Sequence, residues 1–409
     1  MSFHLPSRYA ALFWGLVVFL PVGVNYLAFF ALIVCLAVQS DRTERMRQIR
    51  SHLLFWPLAA YVLWTLIVLM FQPILYVQTA SNLWHGARIA LTLALALALA
   101  RDEAVWAMRG FGLAVVSALV VISVNHLVGL PDWTIWSGLV KVTGNKTIGN
   151  NLLLTVAAGS SIVVALEKPS VTWRTLSLVF VCAVLVVIVW ALPSRTSLLI
   201  LMFMPAAAIC HQWRQYRKKL AIGLTTVVAA ASALLAGIPS THDRLAQGFN
   251  DIARAQAGIW SDDSWGIRLQ MYRETAAMVI DRPLTGWGIG GWTSQWQQRV
   301  PTEFAAYNMP HNDYLWMGSQ AGVLGGLLLL SLFVAACLAG WKRRDSVGRM
   351  TFIAALTLLL AALVNSATRD ANIGLGLLWI VGIYLRLASD SGFNFSALRQ
   401  QKPASENAN

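Results

Sequence analysis

The sequence predicts an all-α fold, a polytopic membrane helix bundle of about twelve spans with one long external helical loop. Three observations predict it. The chain is 57% hydrophobic and only 12% charged, with a mean hydropathy of +0.61, which suits helices that satisfy their backbone internally and turn apolar side chains to lipid. The apolar residues fall in runs of roughly 20, the length that crosses a bilayer. Lys and Arg gather in the short links between those runs, as they do in cytoplasmic loops. The net charge of +13 therefore marks a partnership with membrane lipids and not with nucleic acid, which requires a long basic face. Cys35, Cys182, Cys210 and Cys337 all lie in apolar segments and read as small core residues without a disulfide framework. No cleavable signal peptide stands out behind Arg8.

Residues 1–237 are expected to carry spans one to nine, 238–309 the external loop with amphipathic helices, 310–387 spans ten to twelve, and 388–409 a disordered cytoplasmic tail. The first apolar run breaks at Pro21-Val22-Gly23, which predicts a tight hairpin of two short helices. Arg42, Arg45, Arg47 and Arg50 mark the cytoplasmic side, as do Arg214, Arg217, Lys218 and Lys219. The fourth span holds Arg88 well inside its apolar length, where a charge is expensive unless it faces a partner or a cavity. Trp133 and Trp136 sit at headgroup depth in the following external loop, and alternation places the turn Ser194-Arg195-Thr196 and the link around Arg369 on the external side.

The residues suited to chemistry lie between Ser264 and Gly326. On a helix from about Ser264 to Asp281, Trp265, Leu269, Tyr272, Ala276 and Val279 share one face, with Gln270 and Glu274 pointing away. Arg268 lies about 60° from the centre of that face and reads equally as a snorkelling edge residue or a ligand-binding cation. Pro310 opens the next span, with Asn308 as its cap and His311 in the first turn, where the helix dipole disfavours imidazolium and leaves a neutral base. Asn312 and Asp313 are close enough to orient it, although Asp313 would oppose the shift. Arg195, Arg268, Arg369 and Arg88 could line one cavity, since guanidinium forks suit phosphate oxygens; anchoring to lipid headgroups is the competing role of Arg195 and Arg369. The Asp262-Asp263 pair reads as a helix cap, and Gly318, Gly322, Gly325 and Gly326 as a close helix contact. No metal site and no cofactor are expected, because no paired His or Cys motif and no Gly-rich nucleotide loop occurs.

Arg268 with Tyr272, then Arg282-Pro283-Leu284-Thr285-Gly286-Trp287-Gly288, then His311-Asn312 with Leu315, Gly322 and Gly325, resembles the signature of the O-antigen ligase superfamily. That superfamily includes O-antigen polymerases and bacterial protein O-oligosaccharyltransferases. The Ser194-Arg195-Thr196 turn resembles its second arginine site, and Gln320 departs from the acid that many members carry there. The resemblance implies a multi-pass enzyme of the bacterial inner membrane, active at the periplasmic face. It implies a glycan donor carried on undecaprenyl pyrophosphate, Arg195 and Arg268 on the diphosphate, and His311 as the base for the acceptor hydroxyl. Arg88, Arg369, Tyr272 and Asn312 are further candidates for substrate binding. A chain without a large extra domain looks most like the ligase, whose acceptor is the lipid A core oligosaccharide. A transporter of lipid-linked glycan would also need many spans and cavity arginines, but its polar groups should serve both faces instead of one.

Overall fold

The computed structural model describes residues 5–142, 144–167, 170–237, 250–254, 256–260 and 266–390. Arg244, the Asp262-Asp263 pair, Trp265 and the tail beyond Asp390 lie outside the described residues. Among those described, every regular element is helical. Each apolar stretch of the sequence forms a helix, but only seven helices are long and apolar enough to cross a membrane: Arg101–Val128, Asn145–Glu167, Val171–Ala191, Arg195–Trp213, Asp313–Lys342, Ser346–Val364 and Ala371–Ala388. An eighth is added if Val22–Ala37 and Arg42–Ser51, which meet at 114°, are counted as one bent span. Among the rest, Leu5–Val17 and Phe55–Phe71 are short, and Thr79–Ala98 is interrupted by charge at Arg88. The expected hairpin at Pro21 is present, with Asn25 donating to the carbonyls of Val17 and Leu20 across the turn.

The last helix, Ala371–Ala388, is the axis of the bundle. Every side chain from Ile373 to Leu387 is buried, Arg386 included. Lipid offers apolar side chains as good a solvent as another helix does, so packing and hydrogen bonds hold such a bundle together more than burial itself. Trp379 accordingly stacks on Trp14 of the first helix at 4.1 Å between ring centroids, a contact worth about 0.5–1.5 kcal/mol.

Side-chain hydrogen bonds tie helix ends together at both ends of the bundle. At one end Arg45 bonds Glu103 and the Ala98 carbonyl, Arg386 bonds the Leu99 carbonyl, Arg343 bonds the Ala388 carbonyl, and Arg349 pairs with Glu167. At the other end Lys146 bonds the Leu20 carbonyl, Asn151 the Leu192 carbonyl, and Asn145 the Asp370 carboxylate. The residues suited to chemistry gather at this second end.

Candidate functional site

The site is built on a helix that breaks. Asp313–Lys342 carries non-helical dihedrals at Ala321 and at Gly322, where φ is 70°. The break frees carbonyls that a continuous helix would satisfy, and such groups must find other donors away from water. The Gly-rich turn supplies them. Trp287 N donates to Ser319 O at 2.8 Å, Gly288 N to Gln320 O at 3.0 Å, and Trp64 Nε1 to Ala321 O at 2.8 Å. Val323 N, freed in the same way, donates to Pro283 O at 2.8 Å. A Cβ on Gly322 would lie 2.1 Å from Leu284 O, and Gly286, itself at φ 63°, faces the backbone from Gln320 to Gly322. The expected role of Gly322 in close helix contact is thus corrected: it is the break itself, and its neighbour is a loop. Gln320 has a structural place, its Oε1 accepting from Gly290 N at 2.6 Å.

This docking fixes the helix Gly266–Asp281, which packs against the N-terminal half of the broken helix. Its buried residues are Ile267, Gln270, Met271, Thr275 and Met278, with Trp292 Nε1 bonded to Thr275 Oγ1 at 2.9 Å. The face expected to be buried, with Leu269, Tyr272, Ala276 and Val279, is only half-buried, and Gln270 points inward, not away. The reason is that the helix is wedged among protein elements and is not laid one-sidedly on lipid.

His311 lies outside the helix, not in its first turn. The helix begins at Asp313, and its cap is Asn312, whose Oδ1 accepts from Leu315 N at 3.0 Å; Asn308 plays no part in it. His311 has φ 52°, the only positive φ of a non-glycine among the described residues, a conformation that costs about 1–3 kcal/mol and persists where surroundings impose it. Tyr272 imposes it here, its hydroxyl donating to the His311 carbonyl at 3.0 Å.

A short link between the last two helices closes the site. Asp313, fully buried, accepts through Oδ2 from both the amide and the hydroxyl of Thr368, each at 2.7 Å. Arg88, also fully buried, donates to the Thr368 carbonyl at 2.8 Å, to the Arg369 carbonyl, and to Tyr26 at 2.9 Å. Arg88 therefore clamps the link from behind and does not line an open cavity with the other arginines. Held in this way, the Arg369 guanidinium lies 5.9 Å from the ring centroid of Trp316.

Electrostatics tie the pieces together. Burial, then the fields of Arg268 and Arg369, push the His311 imidazole down to about 4 against the pull of Asp370. The opposing carboxylate is Asp370 instead of Asp313. Burial lowers Arg268 as well, with Tyr272 opposing and Arg195 adding to it; burial lowers Arg369, with Asp313 and Asp370 opposing. Arg195 is the exposed first residue of Arg195–Trp213, behind the cap Ser194. Arg268 and Arg369 thus both act on His311, and Arg195 acts on Arg268. Arg268 makes one long hydrogen bond, 3.4 Å to Asn365 Oδ1, and neither Arg195 nor Arg369 bonds a described residue through its guanidinium.

Asn365 and Asp370 belong to this site and were not singled out from the sequence. Their signal was their place in a polar link of a few residues between two apolar runs. Among the described residues no three His, Cys, Asp or Glu side chains group as a metal-binding cluster. The arrangement can bind a doubly anionic group between guanidiniums and present a neutral imidazole to a hydroxyl beside it.

No curated protein matches the chain. Residues 178–330 match the family model described as O-antigen ligase, a stretch that contains Arg195, Arg268, Tyr272, His311 and Asn312 together with the whole Gly-rich turn and the helix break. Residues 178–330 thus form a domain of the O-antigen ligase type.

Proposed function

We propose that this protein is an O-antigen ligase. It transfers a glycan from undecaprenyl pyrophosphate to the lipid A core oligosaccharide, with inversion and without a metal, at the periplasmic face of the bacterial inner membrane. The chain crosses about twelve times with both ends cytoplasmic, and the 238–309 segment is periplasmic. One observation carries this reading: Arg268 and Arg369, which make no carboxylate ion pair among the described residues, act on an imidazole kept neutral beside them, and Arg195 acts on Arg268.

Arg195 and Arg268 hold the donor diphosphate, with Arg369 close to the same charge. The acceptor hydroxyl gives its proton to a ring nitrogen of His311 as its oxygen attacks the anomeric carbon from the side opposite the diphosphate. The bond from that carbon to the phosphate oxygen breaks. Its electron pair leaves with undecaprenyl pyrophosphate, whose added charge the guanidiniums stabilise, and the imidazolium returns its proton to water. An α-linked donor gives a β-linked product. The imidazole is a weak base while two guanidiniums face it alone. The bound diphosphate neutralises them, so the base strengthens when the donor is in place.

The test uses purified protein in detergent, a polyprenyl-linked glycan, and the lipid A core acceptor. Transfer to the core is expected from the wild type and from neither His311→Ala nor Arg268→Ala, with both variants still inserted in membranes. Full activity in either variant rejects its assigned role. Long products that lack the core would instead identify a polymerase, and lipid-linked glycan moved across vesicles without any transfer would identify a transporter.

A further inference from the structure

A second cavity opens at the same end of the bundle as His311, with a volume of about 510 Å3. It lies between the short helix Thr134–Val140 and the starts of Asn145–Glu167 and Ala371–Ala388. Pro21, Val22 and Gly138 give it an apolar side, and Thr134, Ser137, Asn145, Lys146 and Asn372 a polar one. Hydroxyls and carboxamides that both donate and accept match a polyhydroxylated ligand better than an acyl chain. The volume falls in the range of small-molecule sites, roughly 300–1,000 Å3.

The wall of this cavity is bonded directly to the site. Asn145 Nδ2 donates to Asp370 Oδ2, and Asn372 donates to Asp370 Oδ1 through its amide at 2.7 Å and its side chain at 3.1 Å. Asp370 is the carboxylate whose field reaches His311. Asn372 follows Arg369 by three residues, a separation of no more than about 11 Å along the chain. A saccharide seated in the cavity therefore has one end beside the Arg369–Asp370 link. Lys146 adds a preference for a sugar that carries an anionic substituent. Its ammonium uses one donor on the Leu20 carbonyl, at 2.9 Å, out of three.

We infer that this cavity is the acceptor subsite, which takes the terminal sugars of an anionic-substituted saccharide and holds them against the Arg369–Asp370 link. The assignment rests on the transferase reading above, and the experiment separates the two. Ser137→Trp fills the cavity from a short surface helix, and Asn372→Ala removes a carboxamide from the opposite wall. In steady-state transfer, each is expected to raise the KM for the acceptor about tenfold, as lost hydrogen bonds and occluded space would, while the KM for the donor stays put. Saturation-transfer NMR with the delipidated core oligosaccharide reads binding without turnover. Signal in the wild type that disappears in Ser137→Trp supports the subsite even if no transfer is seen, in which case only the transferase reading falls. Acceptor KM values within twofold of wild type in both variants overturn the subsite, as does oligosaccharide signal that survives Ser137→Trp. Binding of anionic phospholipid vesicles, but not of the oligosaccharide, in a manner sensitive to Ser137→Trp also overturns it.

Discussion

Arginines gather at both ends of this bundle, and they are handled in opposite ways. Arg45 donates to Asp41 at 2.7 Å, to the Ala98 carbonyl at 2.8 Å, and to both oxygens of the fully buried Glu103 at 2.7 and 3.0 Å. Arg343 and Arg349 are likewise paired, with Asp345 and Glu167. At the far end Arg268 reaches one amide oxygen at 3.4 Å, and its near neighbour in charge is another arginine. A buried cation that is paired fastens helices together. A buried cation left beside other cations is held at a cost, and an anionic ligand relieves that cost when it binds.

The largest expected effect breaks the fastened end. Arg45→Ala removes the guanidinium from the buried Glu103, which keeps Ser7 Oγ and the Ala100 amide as donors, and should cost about 3–5 kcal/mol. A drop in the thermal midpoint of the detergent-solubilised protein would report it, with transfer per folded molecule retained. Replacing both partners by apolar residues of similar size should recover most of that loss. The next effect is on the open end. Arg268→Ala should lower transfer by about 10²–10³-fold, the usual loss when one charge-stabilising group is removed. Its thermal midpoint should hold or rise, because no buried carboxylate is left behind. If the two variants exchanged their phenotypes, the division of labour between the ends would be wrong.

Much of this contrast was legible in the sequence, for reasons that differ by residue. Arg195, Arg268 and His311 stand out because charge at an apolar boundary is conspicuous against a hydrophobic chain, while the roles expected of them come from the family resemblance. The twelve helical stretches could be read from hydropathy, but how many of them cross the membrane could not. Composition alone does not separate the 17 residues of Phe55–Phe71 from a full span. The helix break at Gly322 was hidden because glycines spaced for close contact look the same whether the neighbour is a helix or a loop. The buried face of Gly266–Asp281 was misjudged because apolar periodicity names the face of Leu269, Tyr272, Ala276 and Val279, whereas the stripe of Ile267, Gln270, Met271, Thr275 and Met278 is the one buried. Arg88 looked like a cavity residue because its partners, the carbonyls of Thr368 and Arg369, are 280 and 281 positions away.

Those long-range partners make a milder prediction. On the proposed mechanism Asp313 is a positioning residue that, with Arg88, sets the backbone on which Arg369 stands. Asp313→Asn keeps the shape but loses charge from two hydrogen bonds to Thr368. Donor kcat/KM should fall about tenfold, in proportion to one weakened charge-assisted contact. A purely structural role would stop there. If the clamp aims Arg369, the variant also relaxes the field on His311, so the acid limb of the pH profile should move to higher pH. Thr368→Val should reproduce the same displacement.

The smallest effect probes the open end most directly. Protonation removes the base, and kcat/KM for the donor reports the free protein, in which the imidazole sits at about 4. That parameter should stay level from neutral pH downward and fall only near that value. On the proposed mechanism the kcat reports the donor-bound state, in which a diphosphate would offset Arg268 and Arg369 and the imidazole would bind protons more readily. Its acid limb should therefore lie higher, by about one pH unit. Asp370→Asn removes the opposing carboxylate and should shift both limbs down together without changing their separation. Limbs that coincide in the wild type would mean that the diphosphate does not rest beside the imidazole, and the unpaired arginines would then need a different ligand.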